Sequence, residues 1–167
     1  MTNRDQYIKS SRTAHRVVLL LFALLIPLIC AADPAEAEMR RETLLLETSA
    51  GRQSIAIEVA QTLEEKFRGL MFRPKIPEHT GMLFPYGTPQ EITMWMKNTY
   101  ASLDMVFIRV DGTVHRIEAN TEPMSERVIA SDGPVAAVLE LAAGAAAKYG
   151  LKPGDKVLHK SFGNQAK

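Results

Sequence analysis

The sequence contains a single cysteine, Cys30, which lies in the N-terminal segment and not in the body of the chain. A chain without that segment has no disulfide, no thiolate nucleophile and no cysteine-based metal site. Ten glycines and nine prolines in 167 residues are too few for a low-complexity or collagen-like protein. The 46% hydrophobic and 23% charged fractions are typical of a globular protein. A disordered chain and a polytopic membrane protein are therefore excluded.

An excess of charge of either sign is also missing. The formal net charge is +1, and the residues from Glu38 onward contain 16 basic and 16 acidic side chains. Proteins that bind nucleic acids or anionic membrane surfaces usually have a basic excess. The sequence therefore predicts no nucleic-acid partner.

Only one long hydrophobic run is present, over the 16 residues from Val17 to Ala32. Four basic side chains precede it, and an A-x-A pattern at Ala35 to Ala37 follows it. This order is typical of a secretory signal peptide, and a run of this length is shorter than the roughly 20 residues of a transmembrane helix. We therefore expect residues 1–37 to be a signal peptide, cleaved before Glu38, and the protein to be periplasmic or secreted. Contact with a membrane is expected only before cleavage.

Two alternatives remain for this segment, namely cleavage after Ala32 and an uncleaved signal that anchors the protein in the membrane. Lipidation of Cys30 is not expected, because Ile29 precedes it where lipoprotein signals need a small residue. The remaining residues, 38–167, are expected to form a single globular domain with its core at about 43–160.

Short strands dominate the predicted elements of this domain. Alternating apolar residues and turn signals predict strands at 43–47, 54–60, 92–97, 137–141 and 156–160, a short apolar run at 82–84, and a hairpin over 104–118. A capping box at Thr62 and Glu65 predicts a helix over 63–72 with Leu63, Phe67, Leu70 and Met71 on one face, and residues 143–149 predict a second helix. The fold class is therefore α+β, a strand-rich, mainly antiparallel small barrel or sandwich with two short helices.

In the 104–118 hairpin, Asp111 and Gly112 are predicted to be the two central turn residues. This register pairs Ile108 with His115 and Val106 with Ile117. It predicts that His115 lies on the apolar face, as a core or cleft histidine.

Catalytic motifs are absent from the sequence. It contains no G-x-S-x-G elbow, phosphate-binding loop, dinucleotide fingerprint or H-E-x-x-H pattern. The histidines after residue 38 are too far apart in sequence to predict a metal site. We therefore predict no cofactor and no metal, and whether the protein is an enzyme stays open.

Several segments together are similar to a known family. They are RGLMFR at 68–73, GMLF at 81–84, WMKNT at 95–99, LDMVF at 103–107, VLEL-x-x-G at 138–144 and G-x-x-x-G-D-x-V at 150–157. Over residues 43–160 the chain resembles the domain of unknown function family 192. The resemblance implies an exported, strand-rich prokaryotic domain, and it supplies no catalytic residues.

The strongest candidate site is formed by Trp95, Lys97, Asn98, Thr99 and Asp104. An aromatic ring flanked by amine, amide, hydroxyl and carboxyl groups suits a polar ligand, a sugar or a peptide terminus. The structural alternative is that Trp95 packs in the core, Asn98 and Thr99 cap a turn, and Asp104 pairs with Lys97 or an arginine.

Glu140 and Arg68 complete the candidate set. Glu140 is predicted to share a strand face with Val138, and a carboxylate among apolar residues needs a partner. Arg68 or Arg73 is the expected partner.

Three functions follow from these residues. The first is a binding module for a small polar ligand or an extracytoplasmic partner protein, through the region from Trp95 to Asp104. The second is an extracytoplasmic hydrolase or lyase that uses Asp104, Glu140 and Lys97. The third is soft-metal Cu(I) binding through Met94 and Met96, for which core packing of the methionines is the alternative.

Overall fold

The computed structural model describes residues 39–165, and the predicted signal peptide at 1–37 lies outside the described residues. Within the described part, no helix is long and apolar enough to cross a membrane. The strands are β1 (Arg40–Thr48), β2 (Gly51–Val59), β3 (Thr80–Met94), β4 (Leu103–Ile108), β5 (Val114–Glu118), β6 (Ile129–Ala142) and β7 (Lys156–Leu158). The α-helices are α1 (Leu63–Arg68) and α2 (Ala145–Lys148), and a 3-10 turn covers Lys160–Phe162.

The strands of residues 39–165 form one curled, half-barrel sheet in the order β5-β4-β6-β3-β2-β1-β7. Every neighbouring pair is antiparallel except β2 and β3, which run parallel. A hairpin turn cannot join parallel strands, and here α1 and the loop after it make the connection. The predicted α+β, strand-rich fold with two short helices is confirmed.

The two edges of the sheet meet at one end. Val114 donates its backbone N–H to Asp155 O at 2.9 Å, and Val157 donates to Gly112 O at 2.8 Å. Thr113 and Lys156 also form an isolated bridge. The curled sheet is thus partly closed by backbone hydrogen bonds between the start of β5 and β7.

Each face of the sheet carries its own hydrophobic core, because successive strand residues point to opposite faces. Leu83, Val106 and Leu139 belong to the core on the concave side of the sheet, hereafter the barrel core. Their neighbours Met82, Met105 and Val138 belong to the second core, hereafter the outer core, on the opposite face.

The helix α1 begins as the capping box predicts and ends earlier than expected. Thr62 Oγ1 accepts a hydrogen bond from Glu65 N at 3.1 Å, and the Glu65 carboxylate accepts one from Thr62 N at 2.8 Å. The helix stops at Arg68 because Gly69 has a positive φ of 48°. Leu63 and Phe67, which we placed on the packed face with Leu70, are 87% and 69% exposed.

The turn between β4 and β5 has three residues and not two. Gly112, with φ 80°, occupies the left-handed position that ends such a loop, and Arg109 N donates to Thr113 O at 2.9 Å. Val106 pairs with Ile117 as predicted, but Ile108 pairs with Val114 across a bulge. The predicted pairing of Ile108 with His115 is therefore wrong.

The same bulge moves His115 away from the apolar face. Its ring lies 2.8 Å from Arg109 Nη2 and 3.2 Å from Asp132 O, near the surface. The prediction of a core or cleft histidine is therefore wrong, because the third loop residue reverses the face to which His115 points.

Gly81 in β3 offers a test of how tightly the sheet is packed. A Cβ at this position would lie 2.5 Å from Glu140 O and 2.9 Å from Leu141 Cδ2. We expect Gly81→Ala to lower the free energy of unfolding by about 2 kcal/mol, because overpacking a filled interior forces the backbone to move. Urea unfolding measures this loss, and Thr88→Ala, at an exposed position of the same strand, should change the free energy of unfolding by no more than about 0.5 kcal/mol.

Candidate functional site

A cleft opens where α1 and the turn after it cross the outer face of the sheet. Its walls are residues 66–71, parts of β3 and the segment that follows β3, and it has a volume of about 120 Å³. Of the seven candidate residues from the sequence, four line it, namely Arg68, Trp95, Thr99 and Glu140. The structure therefore brings together residues that lie up to 72 positions apart in the chain.

Glu140 is the most unusual group in this cleft. In register it lies between Met82 of β3 and Met105 of β4, and it is 4% exposed. Within residues 39–165 no cation forms an ion pair with it. Burial raises the pKa of Glu140 to about 8. The carboxyl group is therefore mostly protonated at neutral pH and can donate a hydrogen bond.

The Glu140 carboxyl group also faces the cleft without a hydrogen-bond partner among the described residues. No fully enclosed side-chain oxygen or nitrogen in this part of the chain lacks a partner. The Glu140 carboxyl oxygens have no hydrogen-bond partner, so they cannot be fully enclosed. They are therefore accessible from the cleft that the residue lines. A buried polar group without a protein partner is costly unless something else satisfies it.

Glu140 was expected to pair with Arg68 or Arg73, and that expectation is wrong. Arg73 instead forms an ion pair with Glu58, with Nη2 and Oε2 2.5 Å apart. Arg68 lines the cleft without forming an ion pair with Glu140. Glu140 does share the face of Val138 as predicted, since Val138 belongs to the outer core.

Tyr86 lies beside Glu140. Its hydroxyl donates a hydrogen bond to Met94 Sδ at 3.7 Å. Burial, and secondarily the nearby Glu140, raises the pKa of the Tyr86 hydroxyl. The Lys66 ammonium lies 4.8 Å from the centre of the Tyr86 ring. Tyr86 therefore supplies an aromatic wall that one of the protein's own cations covers.

Trp95 also lines the cleft and is 40% exposed. The alternative in which it packs in the core is therefore wrong. Lys97 lies with its Nζ 5.3 Å from the centre of the Trp95 ring and 3.4 Å from Glu126 Oε1. Lys97 thus stacks on the outer side of the site and does not line the cleft.

Asn98 and Thr99 form the turn that holds this wall. Asn98 has a positive φ of 55°, and its carbonyl accepts a hydrogen bond from Phe72 N at 2.8 Å. Thr99 N donates to Met96 O at 3.0 Å, and Thr99 O accepts from Met124 N at 3.0 Å. These hydrogen bonds agree with the structural alternative in which Asn98 and Thr99 cap a turn. Thr99 also lines the cleft.

Asp104 does not belong to this site. It pairs with Leu141 in register, so it points to the face opposite Glu140. Its Oδ1 accepts from Asn120 N and its Oδ2 from Ala146 N, both at 2.9 Å. The expected pairing of Asp104 with Lys97 or an arginine is wrong. The carboxylate instead accepts hydrogen bonds from two backbone N–H groups.

The methionines are divided between the cleft and the outer core. Met94 lines the cleft and accepts from Tyr86, whereas Met96 is 1% exposed and its Sδ accepts from Thr121 Oγ1 at 3.1 Å. Met82 and Met105 are fully buried. Among residues 39–165, no group of three or more His, Cys, Asp or Glu side chains could hold a metal ion.

Phe67 and Tyr86 also line the cleft, and neither is among the site residues predicted from the sequence. Phe67 was assigned to a packed helix face, and it is exposed on the rim. Tyr86 lies between Pro85 and Gly87, just after the apolar run predicted at 82–84. The i, i+4 spacing of Leu63 and Phe67 was present in the sequence but did not distinguish an exposed face from a buried one.

A second cavity of about 280 Å³ is lined by Arg41, Glu58, Arg73 and Ile76 among others. It is larger than the cleft. Its carboxylate, Glu58, is already bonded to both Nη atoms of Arg73. We therefore place the candidate site at the cleft, where the buried carboxyl group has no such partner.

Comparison with known families and structures agrees with this fold. The model of the DUF192 family, described as uncharacterised ACR, matches residues 45–159. No curated protein matches the chain.

Two crystal structures are similar to it. One is of a candidate transcription regulator from Sinorhizobium meliloti 1021, which is 40% identical with a TM-score of 0.73, over 75% of this chain and 98% of that one. The other is of a protein of unknown function from Novosphingobium aromaticivorans DSM 12444, which is 37% identical with a TM-score of 0.71, over 77% of this chain and 91% of that one.

Proposed function

Because the chain belongs to DUF192, a family of unknown function whose motifs its sequence carries, we propose from its own cleft that it is a binding module for a small polar ligand. The observation that carries the proposal is the buried carboxyl group of Glu140, which reaches the cleft and has no hydrogen-bond partner among the described residues. A ligand with a polar group would satisfy it. Apolar walls with a few polar groups are typical of small-molecule sites.

The size of the cleft limits the ligand. Its volume of about 120 Å³ is slightly smaller than the roughly 150 Å³ cavity that holds one benzene molecule. It therefore has room for one group of a few heavy atoms. A sugar ring or a nucleotide would extend beyond it, over the exposed side chains of Phe67 and Trp95 on the rim.

Binding is favoured over hydrolysis because the proposed catalytic pair is not assembled. Asp104 points to the opposite face of the sheet from Glu140, and Lys97 lies outside the cleft lining. General acid–base catalysis needs both groups within reach of one substrate. Of the described residues that line the cleft, Glu140 is the only carboxylic acid.

The same proposal includes a periplasmic or secreted location and a partner other than nucleic acid. The apolar run from Val17 to Ala32 with its preceding basic residues supports a periplasmic or secreted protein. The similar protein from Sinorhizobium meliloti 1021 is described as a candidate transcription regulator. We do not extend DNA binding to this chain, because its residues from Glu38 onward have no net charge.

The single tryptophan provides a direct test, because Trp95 is the only one in the chain and it lines the cleft. We expect a screen of small acids, amines, alcohols and amides to yield compounds that change Trp95 fluorescence and shift the NMR signals of Tyr86 and Thr99. Trp95→Ala should weaken the binding of such compounds by about tenfold, because loss of an aromatic wall of this kind costs about 1 to 2 kcal/mol.

Tyr100→Ala is the matched control, since Tyr100 is an exposed aromatic residue that does not line the cleft. It should leave the affinities unchanged. The proposal fails if no compound shifts the signals of the cleft residues. It also fails if Trp95→Ala and Tyr100→Ala weaken binding equally.

A further inference from the structure

The charges around the cleft identify the class of ligand. Lys66 and Arg68 line it, and Glu140 is the only acidic side chain among the described residues that do so. With the Glu140 carboxyl group protonated, Lys66 supplies a positive charge to the lining and no lining residue supplies a negative one. An anionic ligand is therefore attracted to this site, whereas a cationic one is repelled.

The aromatic walls do not suit an organic cation either. Trp and Tyr rings bind ammonium groups on their faces. Here the Lys66 ammonium is 4.8 Å from the Tyr86 ring centre, and the Lys97 ammonium is 5.3 Å from the Trp95 ring centre. A ligand ammonium would compete with both lysines. An organic cation, the most obvious ligand for an aromatic cleft that contains a carboxyl group, is therefore disfavoured.

We propose that the cleft binds a small monocarboxylate, whose carboxylate is hydrogen-bonded to the carboxyl group of Glu140 while Lys66 balances its charge. This inference rests on the proposed function and names its ligand class. Two carboxyl groups in contact cannot both be ionised easily, so they share one proton. The cleft volume of about 120 Å³ suits an acid of three or four carbon atoms.

The groups that face Glu140 determine how binding depends on pH. From β3 the titratable neighbour is Tyr86, whose raised pKa keeps the hydroxyl protonated through pH 9. From α1 the cationic neighbours are Lys66 and Arg68. On β4 the residue paired with Glu140 is Met105, which does not titrate. Glu140 is therefore the group whose titration controls binding between pH 7 and pH 9.

The test compares three probes with the same three-carbon body, namely propionate, propan-1-ol and propylammonium. We measure their dissociation constants by titration of Trp95 fluorescence and of the NMR signals of Tyr86 and Thr99, at pH 7 and pH 9. Propionate should bind about tenfold or more tightly than propylammonium at pH 7. Its affinity should fall about tenfold between pH 7 and pH 9, as Glu140 loses its proton.

Two variants separate a role in binding from a role in folding. Glu140→Gln retains a hydrogen-bond donor but cannot ionise, so its affinity for propionate should be the same at pH 7 and pH 9. Lys66→Gln should weaken propionate binding severalfold and leave propan-1-ol unaffected. Lys152→Gln, a change of the same kind at an exposed lysine outside the cleft, should alter neither affinity.

The inference is overturned if propylammonium or propan-1-ol binds in the cleft more tightly than propionate, or if propionate binding does not weaken at pH 9. Either result leaves the proposed function intact, because a small polar compound still binds in the cleft. If none of the probes and none of the screened compounds shifts the cleft signals, both the inference and the proposed function fail.

Discussion

Replacing Glu140 with glutamine is expected to stabilise the protein at alkaline pH. Burial raises the pKa of this carboxyl group to about 8, whereas the pKa of a glutamate in an unfolded chain is about 4.3. The unfolded state therefore releases its proton first as the pH rises. The contribution of Glu140 to the stability of the folded protein therefore falls between about pH 4 and pH 8 and is constant above that range.

Glutamine removes this dependence because it does not ionise. At about 1.4 kcal/mol for each unit of pKa difference, the advantage of Glu140→Gln should grow by about 5 kcal/mol between pH 4 and pH 9. Urea unfolding of both proteins at a series of pH values measures the change. The comparison across pH cancels the constant cost of placing an amide in the cleft.

Glu122→Gln is the control, since Glu122 is exposed, and its effect should not vary with pH in this way. A constant difference between Glu140→Gln and the native protein from pH 4 to pH 9 would show that Glu140 is ionised in the folded state at neutral pH. The account of the cleft as a site with a protonated acid would then be wrong.

The second large effect is expected at Asp104, and it concerns stability alone. The side chain is fully buried and accepts backbone hydrogen bonds from Asn120 and from Ala146 of α2. Asp104→Ala leaves two buried N–H groups without a partner, at about 1 to 3 kcal/mol each. We expect the free energy of unfolding to fall by about 3 kcal/mol.

Asp104→Asn should lose about half as much, because the amide oxygen still accepts one of the two hydrogen bonds. Thermal and urea unfolding measure both losses. The binding of cleft compounds, measured below the unfolding transition, should be unchanged in the asparagine variant. Loss of binding with unchanged stability would instead place Asp104 in the functional site.

Local patterns predicted much of the fold because they depend on neighbouring residues. The capping box at Thr62, the first hairpin and the strand around Val138 follow from alternation and turn residues, and the structure contains all three. The length of β3 was not predictable in this way. Pro85 and Gly87 are typical strand breakers, but β3 continues from Thr80 to Met94 with register shifts after Pro85 and after Glu91.

The candidate site was predictable only in part, for a related reason. The alternation of β6 placed Glu140 on the face of Val138, and this is observed. Which residues of other elements share that face depends on strand pairing, which the sequence does not show. The pairing of Asp104 with Leu141 puts Asp104 on the opposite face. The path of the turn after α1 brings residues 66–71 over Glu140.

The partial closure of the sheet also determines when the domain can fold. β7, at Lys156–Leu158, pairs with β1 and bonds to the start of β5, so it joins segments more than 100 and about 40 residues earlier in the chain. Such distant pairings are slow to form. During synthesis β1 has no partner on this side until Val157 has left the ribosome. The sheet is therefore completed only after translation has passed β7, and before that point this edge of β1 has no backbone hydrogen-bond partner.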